Sequence, residues 1–184
     1  MIAAGETRRL ILRPLALADA AQIQAIFPRW EIVRFLDARV PWPYPPNGAR
    51  EYLEHMALPA MARGESWDWT LRLKSAPEVL LGGLTLRRGS DDNRGFWLVP
   101  EAQGRGLMIE AVWWANDFWF YTLGFPLLRV SKAKANSASR RISARTGMRL
   151  AGAAEKDYVC GRLVSETWEL SAAEWHAAKA NSCP

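Results

Sequence analysis

Sulfur and imidazole are scarce in this chain. Cys160 and Cys183 are its only thiols and His55 and His176 its only imidazoles, so a disulfide framework is excluded and no ligand cluster stands at metal-binding spacing. No structural metal is expected. Long apolar runs are missing as well: no stretch reaches the ~18 residues of a membrane span. The opening MIAAGETRRL also lacks the charged start, apolar run and cleavage site of an export signal. The expectation is a cytoplasmic chain that does not enter a membrane. Basic runs are absent too. The net charge of +5 suits a polyphosphate ligand, nucleic acid or plain solubility, but without a basic run or an RNA-binding motif nucleic acid is not expected as the primary partner.

What remains is globular. Of 184 residues, 49% are hydrophobic, enough for one core, and no linker, repeat or low-complexity tract divides the chain, so a single domain over 1–184 is expected. TRRLILRP alternates basic and apolar residues as a half-buried strand does. Asp19 opens a short helix that Pro28 stops. Four prolines between Pro41 and Pro46 rule out helix and ladder alike and leave a stiff loop displaying Trp42 and Tyr44. Asn47 starts a second helix that Pro59 should end or kink. From Ser66 the period changes to two, predicting three antiparallel strands in SWDWTLRL, EVLLGGLTLRR and NRGFWLV. Past Pro100 the pattern is helical, with Leu107, Ala111, Ala115, Phe118 and Thr122 on one stripe until Gly124. PLLRVSKA then reads as a strand, NSASRRISARTG as a helix capped by Asn136, and MRLAGA, DYVCG and RLVSETWEL as closing strands, with AAEWHAAKA a final turn. The strand-helix-strand from Arg94 to Lys132 predicts one parallel step in a mixed α/β fold.

FWLVPEAQGRGLMIEA is the most informative stretch. A strand ends at Pro100 and a Gln-Gly-Arg-Gly turn opens a long helix. Amides at a helix start have no intrahelical acceptor and the positive end of the dipole faces outward, so a pyrophosphate can sit there, with Gly104 and Gly106 letting it approach. Glycines before a helix can equally be steric. Val99 to Gly106, however, resembles the acetyl-coenzyme A signature of the GCN5-related N-acetyltransferases (GNAT). The likeness extends to Gly95 to Leu98, to Ile109 to Ala111, to Asn136 to Ser139, to Gly147-Met148 and to Thr167 to Leu170. Together these look like the RimJ/RimL branch and cover nearly the whole chain. Leu107 and Met148 depart from the aromatic residues usual in that branch.

The resemblance implies a GNAT fold: a mostly antiparallel mixed sheet of about seven strands, splayed at one parallel pair and flanked by helices. Acetyl-coenzyme A would lie in that splay as co-substrate. It implies a cofactor site in which Leu98 and Val99 meet the pantetheine and acetyl oxygen, the amides of Gln103, Gly104, Arg105, Gly106, Leu107 and Met108 hold the pyrophosphate, and Asn136 reaches the pantetheine. Arg140 and Arg141, with Lys132 and Lys134 nearby, offer cations to phosphates. Ser139 matches a position that protonates the leaving thiolate. Glu110 matches a recurrent carboxylate of the family, although a glutamate in a first helical turn also suits the dipole. A mostly protonated amine needs a proton acceptor, and Asp68, Glu155 and Asp157 are the other carboxylate candidates, with Tyr158 a candidate acid. Trp42, Tyr44, Trp67, Trp69 and Asp68 are expected where the acceptor approaches, whereas Trp113, Trp114 and Trp119 read as core or a dimer surface.

The expected function is acetyl transfer from acetyl-coenzyme A to a primary amine, either a protein N-terminal α-amine or a small molecule, by direct attack in a ternary complex. Neither cysteine occupies a catalytic position, so no covalent intermediate is expected. The alternative is a catalytically inactive acetyl-coenzyme A-binding or RNA/ribosome-binding module. A homodimer is the family expectation.

Overall fold

Apolar alternation and helical periodicity resolve into eight strands and seven α-helical segments in a computed structural model describing residues 2–89 and 91–180; Cys183 lies outside the described residues. The chain opens with β1 (Gly5–Glu6) and β2 (Leu10–Pro14), then α1 (Ala20–Ile26), α2 (Trp30–Val33), α3 (Gly48–Tyr52) and α4 (Leu58–Ala62). The meander follows as β3 (Ser66–Leu73), β4 (Ala76–Arg87) and β5 (Arg94–Leu98). After it come α5 (Leu107–Asp117), β6 (Leu127–Ala133), α6 (Ser137–Arg145), β7 (Arg149–Tyr158), β8 (Gly161–Ser171) and α7 (Ala172–Ala180). Strands β1 to β5 form one antiparallel sheet in chain order, and β6, β8 and β7 a second.

The sheets meet just before β5 and at the middle of β6, and only side by side for a short distance. Asn93 N–H donates to Arg129 O at 2.7 Å, while Asn93 Oδ1 and Asp92 Oδ1 accept the amides of Arg129 and Ser131. Side chains thus take the amides of β6 that further parallel rungs would use. Beyond that point no ladder joins the two strands, so the one sheet of about seven strands is two sheets of five and three, split at the expected parallel step.

Side-chain parity places the helices. Arg94 on one face of β5 donates to Asn116 of α5 and contacts Met148 just past α6, whereas Trp97 on the other face packs edge-on against Phe27 at the end of α1. Helices α5 and α6 therefore cover one face and α1 and α2 the other. Arg72 and Asp19, both buried, pair at 2.7 Å to tie the start of α1 to β3. The α3–α4 stretch runs on through Pro59 because a wide π-turn at Leu53–Ala57 separates the two segments and gives the proline ring room. The terminal turn is in fact the helix α7, started by Ser171 and Glu174 capping one another's amides. Trp175 and Lys179 of α7 both donate to Asp117, clipping that helix to α5. Trp119 is buried in the core, and Trp113 and Trp114 pack against Trp175 and Trp69.

Candidate active site

Past its contact with β6, the free edge of β5 opens onto a cleft of about 400 Å³. Its walls are Phe96, Trp97 and Leu98 of β5, Ala102 to Gly104 and Gly106 to Ile109 of the glycine loop and α5, and Asn136, Ala138, Ser139, Arg141, Ile142 and Arg145 around α6. Glu31, Ile32, Arg34, Phe35 and Leu36 close the α2 side. The cleft thus touches helices from both faces of the sheet.

Antiparallel pairing decides which backbone groups face it. Val99 N–H donates to Leu81 O at 2.8 Å, so along β5 the alternate residues Phe96 and Leu98 turn their amides away from β4 toward the open edge. Leu98 O is held by Gln103 Nε2 at 2.8 Å, which draws the loop onto the strand end. Of the Leu98-Val99 pair, only the Leu98 N–H therefore faces the cleft, and Val99 is buried outside the lining.

Gly104 and Gly106 both adopt positive φ, +72° and +74°, a region that costs any residue with a Cβ. The chain thereby turns into α5 with no side chain capping it. The first intrahelical bond is Glu110 N to Gly106 O; the amides of Leu107, Met108 and Ile109 precede it and remain available to an anion. Gln103 N–H is committed to Pro100 O. Arg105 turns away, its carbonyl accepting from Arg9, and does not line the cleft.

Asn136 caps α6, its Oδ1 accepting Ser139 N–H at 3.1 Å. That leaves Nδ2 and Ser139 Oγ as polar atoms of a cleft residue pair. Arg140 sits on another face, bound to Glu166 at 2.7 Å. The cations on the cleft are instead Arg141 and Arg145, one turn apart, and Arg34, stacked over Phe35. Lys132 is buried against Ser143, and burial, reinforced by the Arg94 charge, pulls its pKa down to about 7.

Several expected residues stand elsewhere. Glu110 is outside the cleft and anchors the β1–β2 turn: Thr7 Oγ1, Arg9 N (2.7 Å) and Arg9 Nε (2.8 Å) all donate to it. Its burial raises the pKa, but those bonds and the Arg9 charge outweigh it and the net shift is downward. Tyr158 is buried with its hydroxyl donating to Ser165, and burial raises its pKa. The residues expected around the acceptor all stand apart from this cleft. Trp69 is core, bonded to Ala3 O and packed on Trp114 and Phe118. Trp67 packs on Phe125, and Asp68 is buried between Ser66 and Thr85 hydroxyls, burial raising its pKa. Tyr44 packs on Phe27, its pKa pushed by burial to about 12, and Trp42 lies against Trp30 at the surface. None of these five lines the cleft.

A family model for the acetyltransferase (GNAT) domain matches residues 9–149. The chain belongs to the GNAT acetyltransferases. Its fold is similar to that of a ribosomal-protein alanine acetyltransferase from Vibrio fischeri (TM-score 0.78, 18% identity, 94% of this chain and 98% of that one). It is also similar to RimL, a ribosomal-protein α-N-acetyltransferase solved in complex with coenzyme A (0.75, 16%, 92% and 97%), and to an acetyltransferase from Agrobacterium tumefaciens (0.71, 23%, 92% and 95%). No curated protein matches the sequence. As a GNAT acetyltransferase the chain is an acyltransferase enzyme, and no described helix is long and apolar enough to cross a membrane.

Proposed function

We propose that this GNAT acetyltransferase uses acetyl-coenzyme A and transfers its acetyl group to a primary amine by direct attack in a ternary complex. The observation that carries the reading is the cleft itself. It combines an unpaired strand edge at Phe96 and Leu98, an uncapped helix start behind two left-handed glycines, and polar atoms of Asn136 and Ser139 in the same lining. A pantetheine arm carries amides that match a free strand edge, and a pyrophosphate matches the amides of Leu107 to Ile109. Arg141 and Arg145 add positive charge on the same side. When bound, acetyl-coenzyme A supplies an activated acyl carbon. Leu98 N–H is oriented to stabilise the oxygen charge that develops on attack, and Ser139 Oγ offers a proton to the departing sulfur. Cys160 is exposed at the β7–β8 hairpin and outside the cleft, in keeping with transfer that needs no acyl-enzyme. Among primary amines, the activities of the Vibrio and RimL neighbours support a protein N-terminal α-amine as the acceptor.

Thermal unfolding with and without acetyl-coenzyme A tests the reading. Ligand at a hundred times its Kd adds roughly 2.7 kcal/mol, a rise in Tm of roughly 5–10 °C for a chain of this size. Gly104→Trp, which fills the loop, should reduce that rise. No rise at millimolar acetyl-coenzyme A would overturn the proposal.

A further inference from the structure

Among the residues that line the cleft, Glu31 is the sole carboxylate, against three arginines. Carboxylates outside the lining are committed elsewhere: Glu101 to Arg29, Asp37 to Arg39 and Lys156, Glu166 to Arg140, and Glu110 to Arg9. Glu31 makes no ion pair or hydrogen bond among the described residues. Its side chain is exposed, on a segment fixed at both ends. The segment that carries it is tied at one end by the Arg29–Glu101 pair to the turn leading into the glycine loop. At the other end Cys160 N–H and Val159 N–H donate to Arg34 O and Leu36 O at the β7–β8 hairpin. Residues 29–36 therefore form a strap from the end of β5 to the second sheet, on the face of β5 opposite α5 and α6. The anion-binding helix start and Arg141 and Arg145 occupy the α5/α6 side; Glu31, Phe35 and Leu36 occupy the other.

Resting on the transferase reading above, we propose that Glu31 is the carboxylate that receives the acceptor amine, and that the acceptor carries a single ammonium with neutral or anionic groups beside it. An ammonium entering a cleft whose other charges are Arg34, Arg141 and Arg145 is repelled everywhere except at Glu31. One carboxylate accommodates one ammonium; a second positive group close by would meet an arginine instead. The proton balance is complete. The ammonium gives one proton to Glu31, and the amine nitrogen then bonds to the acyl carbon. The C–S bond breaks as nitrogen loses its second proton, and the thiolate leaves as thiol on taking a proton. Each turnover thus yields an amide, free coenzyme A and one proton passed from Glu31 to solvent.

The test follows coenzyme A release by the full chain with two hexapeptides that share a free N-terminal alanine, one continuing in serine and aspartate and one in lysine. Wild type should prefer the first. Glu31→Gln should lower kcat/KM for it on the order of a hundredfold, with a raised peptide KM, an unchanged acetyl-coenzyme A KM and an unchanged acetyl-coenzyme A-induced rise in Tm. Glu31→Asp should restore part of the loss. Turnover of Glu31→Gln within about twofold of wild type, or a preference for the lysine peptide, overturns the proposal. Should neither peptide accept the acetyl group, slow release to water is compared instead, and equal release by wild type and Glu31→Gln overturns it. Failure of the transferase reading is a different result: wild type then shows neither a rise in Tm nor any release.

Discussion

Two side chains near the split can be probed by substitution, one with a structural and a chemical job at once and one whose charge is held against burial. Asn136 Oδ1 caps α6, a contribution of about 1 kcal/mol, while Nδ2 belongs to the cleft. Asn136→Ala should lose both, with a Tm lower by roughly 2–4 °C and weaker acetyl-coenzyme A binding. Asn136→Asp keeps a capping oxygen and loses the donor, so calorimetry should find near-wild-type Tm with acetyl-coenzyme A affinity reduced roughly tenfold. Wild-type affinity in Asn136→Asp would leave the residue a cap alone. Lys132 poses the second case. Its folded-state pKa of about 7 lies below the ordinary 10.5, so the unfolded chain binds the extra proton. Stability therefore carries the full cost below pH 7 and recovers as pH rises toward 10.5. Lys132→Met removes the titration; the excess of its Tm over wild type should be largest near pH 7 and shrink toward pH 10. A difference that does not change with pH would refute the burial argument.

At the scale of elements, Glu110 distinguishes an anchor from a base. It sits in the first turn of α5, where a glutamate pleases the dipole, and its three donors all come from the β1–β2 turn. Glu110→Gln should lower Tm by several degrees at pH 7, because a bond to a charged group contributes roughly 1.5–3 kcal/mol, and leave kcat within about threefold. Its lowered pKa means that this stability is present at neutral pH and lost on acidification through the folded-state value, so wild type and variant should converge in acid. A collapse in kcat at unchanged Tm would restore it to catalysis. The same residue shows where sequence reading runs out. The glycine loop, the long helix and the β3–β4–β5 meander were legible because glycine punctuation and period-two alternation are local signals. Alternation says that Trp67 and Trp69 share a face and Asp68 takes the other, but which helix covers each face is a long-range matter, and α5 covers the tryptophans. The strap around Glu31 carried too weak a signal: α2 is four residues long, too short for periodicity, and only the alternation of charge and apolar bulk in EIVRFL after Pro28 marked it. Arg145 could have been found as the residue one turn beyond Arg141.

Across the whole molecule the decisive feature is that two antiparallel sheets touch between the start of β5 and the middle of β6 and part beyond that point. Neighbouring strands within each sheet are joined by ladders, whereas at this split the inner edge of β5 leaves backbone donors facing the cleft instead of a partner. Hydrogen exchange can read that directly. In the free protein the amides of Phe96, Leu98 and Leu107 to Ile109 should exchange fast for residues so well covered, since they face the cleft without an acceptor. Val99, donating to Leu81, and Asn93, donating to Arg129, should be slow. Acetyl-coenzyme A should slow the first set and leave the second unchanged, because the ligand would act as the missing strand between the sheets. Equal slowing of Val99 would instead indicate tightening of the whole fold, and no slowing at Phe96 and Leu98 would mean that the pantetheine does not follow this edge.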